Sequence, residues 1–71
     1  MKTLYFQHSD GNMEHIRKLF DEENYVDAAL DDLKKRNPRF KSYYQRVWTN
    51  DEGWTYIDVG SHTEFYVIKD D

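Results

Sequence analysis

The chain contains no cysteine, one proline and three glycines, and its apolar runs are only a few residues long. Each shortage excludes something. Without cysteine there is no disulfide staple, no thiolate metal site and no cysteine nucleophile, and a reducing compartment is favoured. Without a long apolar run there is no transmembrane helix and no signal-peptide apolar region. The few glycines build no phosphate-cradling loop, and no serine occupies a strained nucleophile elbow. Ser61 and His62 are neighbours, but adjacent strand positions point to opposite faces and make no catalytic pair. His8, His15 and His62 lack metal-site spacing. The expectation is a cytoplasmic protein with no catalytic residues, no cofactor and no metal.

The 71 residues make one domain, residues 1–71. A chain this short buries only about 60% of the surface its unfolded form exposes, so its core is small. It is 38% hydrophobic and 34% charged, and its 17% aromatic content argues against disorder. The net charge of −4 repels nucleic acid and anionic membranes unless positive charge collects locally. It does collect. Residues 21–33 hold six acids (Asp21, Glu22, Glu23, Asp27, Asp31, Asp32) and no base, while residues 34–41 hold five bases (Lys34, Lys35, Arg36, Arg39, Lys41) and no acid.

Thr3–His8 has the residue types of a first strand, and Ser9-Asp10-Gly11-Asn12 is a turn cluster. Met13, Ile16, Leu19 and Phe20 then recur at helical spacing, with Asn12 as cap. A second helical stripe follows at Val26, Ala29, Leu30 and Leu33. On one straight helix the two stripes would lie roughly 90° apart, so a break near Asp21–Asn24 is expected, with Asn24 or Asp21 capping the second helix. Pro38 ends it. The charge blocks fit that helix: acids at its start and bases at its end complement its dipole, and Asp31–Lys35 and Asp32–Arg36 are i,i+4 pairs.

Residues 40–68 carry eight of the twelve aromatic residues, alternating with polar ones. Asn50-Asp51-Glu52-Gly53 reads as a type I turn closed by a left-handed glycine. Trp48 then faces Tyr56, Val47 faces Ile57, and Arg46 faces Asp58, each pair worth roughly 0.2–1 kcal/mol. The next loop, around Gly60-Ser61-His62, leaves two outcomes open. With three loop residues Ile57 faces Phe65, and Tyr44, Arg46, Trp48, Trp54, Tyr56 and Tyr66 share an exposed face. With two or four, Phe65 and Val67 join the tryptophans and that face becomes the core.

The expected fold is α+β: an N-terminal strand, one or two helices, then a three-stranded antiparallel meander, with the helices packed on one sheet face. The expected function is non-enzymatic binding of another protein, or of a second copy, through Tyr44, Arg46, Trp48, Trp54, Tyr56 and Tyr66. These are residue types common in interface hot spots. One alternative is single-stranded nucleic acid held by the same rings, with Lys34, Lys35, Arg36, Arg39 and Lys41 on the phosphates. Another is an acidic mimic of nucleic acid acting through Asp21–Asp32.

Overall fold

The structure is a computed structural model that describes residues 1–70. Its elements are β1 (Lys2–Gln7), β2 (Met13–Lys18), α1 (Tyr25–Arg36), β3 (Arg46–Thr49), β4 (Thr55–Asp58) and β5 (Phe65–Asp70). The strands form one five-stranded sheet in the order β2-β1-β5-β4-β3, with every pairing antiparallel. This overturns the expected α+β arrangement of helices on a three-stranded meander. The fold is sheet-dominated, with a single helix among the described residues.

The difference arises in residues 13–20. Met13–Lys18 form strand β2 and Leu19 and Phe20 follow it, so no short helix is present there. The preceding cluster is a hairpin turn: the His8 amide donates to the Asn12 carbonyl at 2.8 Å, and Gly11 adopts φ +93°. Asn12 therefore caps no helix; its own amide donates to the Asp10 carboxylate at 2.9 Å. The apparent helical period has a strand explanation. Tyr5 pairs with His15 and Leu4 with Arg17, which leaves Ile16 as the extra residue of a β-bulge. The bulge lets Ile16 pack against the core despite its odd spacing from Met13. Leu19 is buried just beyond the strand, while Phe20 is 80% exposed.

Helix α1 forms from the local signals. Asn24 caps it by accepting the Asp27 amide at 3.0 Å, Asp27 lies in its first turn, and Lys34, Lys35 and Arg36 lie in its last. Its buried face carries Ala28 and Ala29, whose small side chains let the helix sit close on the sheet. Beneath it lie Leu4, Phe6, Ile57, Val59, Tyr66 and Ile68. Arg36 fastens the end of the helix to the sheet. It donates to Asp32 and Glu14 at 3.0–3.2 Å, and its guanidinium stands 4.2 Å from the Phe6 ring centroid. Tyr66, fully buried, donates to the same Asp32 at 2.7 Å.

The β3–β4 hairpin has the register read from sequence, with Arg46, Val47 and Trp48 facing Asp58, Ile57 and Tyr56. Asn50 organises its turn, and its side-chain oxygen accepts the amides of Glu52 (3.0 Å) and Trp54 (2.9 Å). Asn50→Ala removes both bonds from a partly exposed site and should cost about 1 kcal/mol in urea denaturation. A loss below about 0.3 kcal/mol would show that water replaces the side chain.

Strand β5 is shifted by one residue from the three-residue-loop register. Ile57 faces Tyr66 and Tyr56 faces Val67. Phe65 and Val67 thus join the tryptophans, and Tyr66 and Ile68 turn to the helix. The aromatic face nevertheless stays outside the core, because α1 packs on the other side of the sheet.

Candidate functional site

The site is the sheet face that α1 leaves open. Across it the registers align one row through all five strands: Trp48, Tyr56, Val67, Tyr5 and His15. Val67 is fully buried although no helix covers it, so the flanking side chains shield it. The rings pack on one another. Trp48 stacks on Tyr56 with centroids 5.5 Å apart at 11°, and Phe65 meets Trp48 edge-on at 5.7 Å. Tyr5 and His15 are edge-to-face at 5.7 Å. Such pairs contribute roughly 0.5–1.5 kcal/mol beyond the area they bury.

Cations cap the rings. The Arg46 guanidinium stands 4.6 Å from the Trp48 centroid. The Lys69 ammonium lies 4.0 Å from Trp54 and 4.9 Å from Tyr5, bridging the two. Lys18, opposite Thr3, adds a third base to the same face. Its acid is Asp58, opposite Arg46, and that carboxylate is already engaged. It accepts the amides of Gly60 (2.9 Å) and His62 (3.3 Å), and meets His62 Nδ1 at 3.1 Å. Burial pushes the Asp58 carboxyl up, but those amides and the His62 ring outweigh it and hold the group below the usual aspartate range. An acidic chain therefore carries a locally basic aromatic surface. Thr3 Oγ1 and Gln7 Oε1, on β1 to either side of Tyr5, are buried without a hydrogen-bond partner among the described residues.

Of the residues expected on this face, Arg46, Trp48, Trp54 and Tyr56 are brought together. Tyr66 is not: its ring is in the core, where burial and then the Asp32 carboxylate hold its phenol above the ordinary tyrosine range. Tyr44 precedes β3 in an irregular segment, 47% exposed, and its hydroxyl lies 3.4 Å from His62 Nδ1, the atom that meets Asp58 at the end of this face. The sequence does not reveal Tyr5, His15, Lys18 and Lys69 as members of this face, and it offers Phe65 only under the two- or four-residue loop. Tyr5 and His15 needed the β1–β2 pairing, and Phe65 and Lys69 needed the parity of the β4–β5 loop.

The basic segment is elsewhere. Lys34, Lys35 and Arg36 belong to α1, on the opposite face of the sheet, so they do not join the aromatic row. Arg36 is bound to Glu14 and Asp32, and Lys35 pairs with Asp31 at 3.4 Å. Lys34, Arg39 and Lys41 have no ion-pair partner among the described residues. The acidic block is also divided, since Asp31, Asp32 and Glu23 are paired within the chain. Among the described residues no three His, Asp or Glu side chains group as metal ligands would, and no helix is long and apolar enough to cross a membrane. Compared with known proteins, the chain matches no family model, no curated protein and no solved structure.

Proposed function

We propose that this chain is a small, non-enzymatic, cytoplasmic binding module whose open aromatic face holds an acidic stretch of a partner protein. The observation that carries this reading is the ring row across the sheet, capped by Arg46 and Lys69 while Asp58 is engaged within its own loop. Rings with a guanidinium among them are the usual anchors of a protein interface, and the cations over them, which have no ion-pair partner among the described residues, select a partner of opposite charge. A second copy is a poorer occupant, because stacking the two faces would bring Arg46 and Lys69 toward their own counterparts. The lack of cysteine supports the cytoplasmic assignment.

Single-stranded nucleic acid is the second reading, favoured by the same rings and cations. Against it, a stacked base would need a free ring face, and Trp48 already has Tyr56 on it and Arg46 over it. The basic segment Lys34–Lys41 also lies behind the sheet.

Labelled peptides alternating Asp or Glu with apolar residues, and a labelled single-stranded oligonucleotide, separate the two readings by fluorescence anisotropy at two salt concentrations. The expected result is peptide binding that shifts tryptophan emission. Arg46→Glu should weaken it by about tenfold or more in a protein that still folds, its melting temperature lowered by only a few degrees as the Asp58 and Trp48 contacts are lost. Tighter binding of the oligonucleotide, falling steeply with salt, would install the second reading. Peptide binding insensitive to Arg46→Glu would remove the aromatic face as the site.

A further inference from the structure

Phe20 is the most exposed aromatic side chain after Tyr43, at 80%, and the fold holds it there. The turn at residues 20–23 is clamped. The Glu23 amide donates to the Phe20 carbonyl at 3.1 Å, and the Glu23 carboxylate accepts the Phe20 amide at 3.1 Å. Arg17 fixes that carboxylate through two bonds, Nη1 to Oε1 at 2.9 Å and Nη2 to Oε2. Asp21 and Glu22 occupy the tip, exposed and without a partner among the described residues. The result is a braced knob made of one aromatic ring and two carboxylates.

The matching surface lies past the other end of α1. A groove of about 500 Å³ there has an apolar lining of Leu30, Leu33, Pro38 and Phe40. Lys34 and Lys41 also line it, both lacking an ion-pair partner among the described residues. One surface offers a ring and two free carboxylates; the other offers an apolar trough and two free ammonium groups. The same molecule cannot join them. The knob precedes the 12-residue helix and the groove is built from its last turns and the segment after it, and a helix of that length spans about 18 Å.

We propose that two copies of this chain associate head to tail, the Phe20–Glu22 knob of one seated in the Leu30/Phe40 groove of the next with Asp21 and Glu22 against Lys34 and Lys41. The contact is heterologous, so each bound pair keeps one free knob and one free groove, and association continues into chains or a closed ring. The surface is separate from the aromatic face and does not rest on its assignment.

Sedimentation equilibrium from micromolar to millimolar concentration tests this. The wild-type average mass should rise with concentration past that of a dimer, without limit for open chains or to the mass of a closed ring. Lys34→Glu/Lys41→Glu and Asp21→Lys/Glu22→Lys should each weaken association at least tenfold, because each makes knob and groove alike in charge. An equimolar mixture of the two variants should restore it, since every contact is then between opposite charges. Phe20→Ser should also weaken association without changing the melting temperature, which keeps the test open if a charge variant folds poorly. Arg46→Glu, on the aromatic face, should change nothing. A wild type that is monomeric at millimolar concentration overturns the proposal, as does a mixture that stays monomeric. Association abolished by Arg46→Glu but retained in the groove variants would also overturn it.

Discussion

Tyr66→Ala should destabilise the fold by about 3–5 kcal/mol, the cost of emptying a core site that an aromatic ring fills. For 71 residues the whole stability is of order 4–11 kcal/mol, so a large share would go in one substitution. Tyr66 has no exposed surface, packs on Phe6 with centroids 5.1 Å apart, and donates to Asp32 at 2.7 Å. Tyr66→Phe keeps the ring and loses only the bond. Asp32 retains Arg36, so about 1–2 kcal/mol is expected. Urea denaturation of the two variants separates packing from hydrogen bonding. If Tyr66→Ala stayed within about 0.5 kcal/mol of wild type, as for an ordinary surface residue, the ring would belong to a surface and the register of β5 would be wrong.

Asp58→Ala should cost about 2–3 kcal/mol. The side chain is 1% exposed and holds a loop in which two residues have positive φ, Gly60 at +112° and His62 at +66°. Removing it strands the Gly60 and His62 amides that it accepts. Asp58→Asn keeps an acceptor but not the charge, and so isolates the pH dependence. The folded carboxyl sits below its unfolded value of about 3.9, so its contribution is complete above that value and is lost as pH falls through the folded pKa. The stability gap between wild type and Asp58→Asn should therefore be full at neutral pH and shrink below about pH 4. A gap that stays constant down to pH 3 would mean the charge contributes nothing.

The β4–β5 loop that Asp58 holds matters beyond its own stability. Its parity alone moves Phe65 and Val67 to the open face and Tyr66 and Ile68 under the helix. The residues around Gly60-Ser61-His62 are compatible with two, three or four loop residues, and the expected binding face assumes three. What the chain order does not reveal is that a carboxylate at Asp58 caps two amides across the loop and stabilises an additional residue in it. Core and candidate site exchange members on that one detail. Tyr66 left the expected binding face for this reason, and Phe65 and Lys69 entered it.

By itself the sequence determined what depends on neighbours within a few residues. The Asn50–Gly53 turn sets the β3–β4 register, and so places Arg46, Trp48 and Tyr56 on one face. Asn24, the acid-to-base gradient and Pro38 delimit α1. Only the tertiary structure decided the rest. Met13, Ile16 and Leu19 satisfy a helical period and a bulged strand equally well, and pairing with β1 selects the strand. Whether α1 covers the aliphatic or the aromatic side depends on the whole sheet. Ala28 and Ala29 fit closely against Leu4, Ile57 and Ile68, while the rings opposite already fill their own face. The basic segment is continuous in sequence with the aromatic one, yet the helix carries it behind the sheet. Local hydrogen bonds and caps are written in adjacent residues; which surfaces meet is a property of packing, and no short stretch of chain contains it.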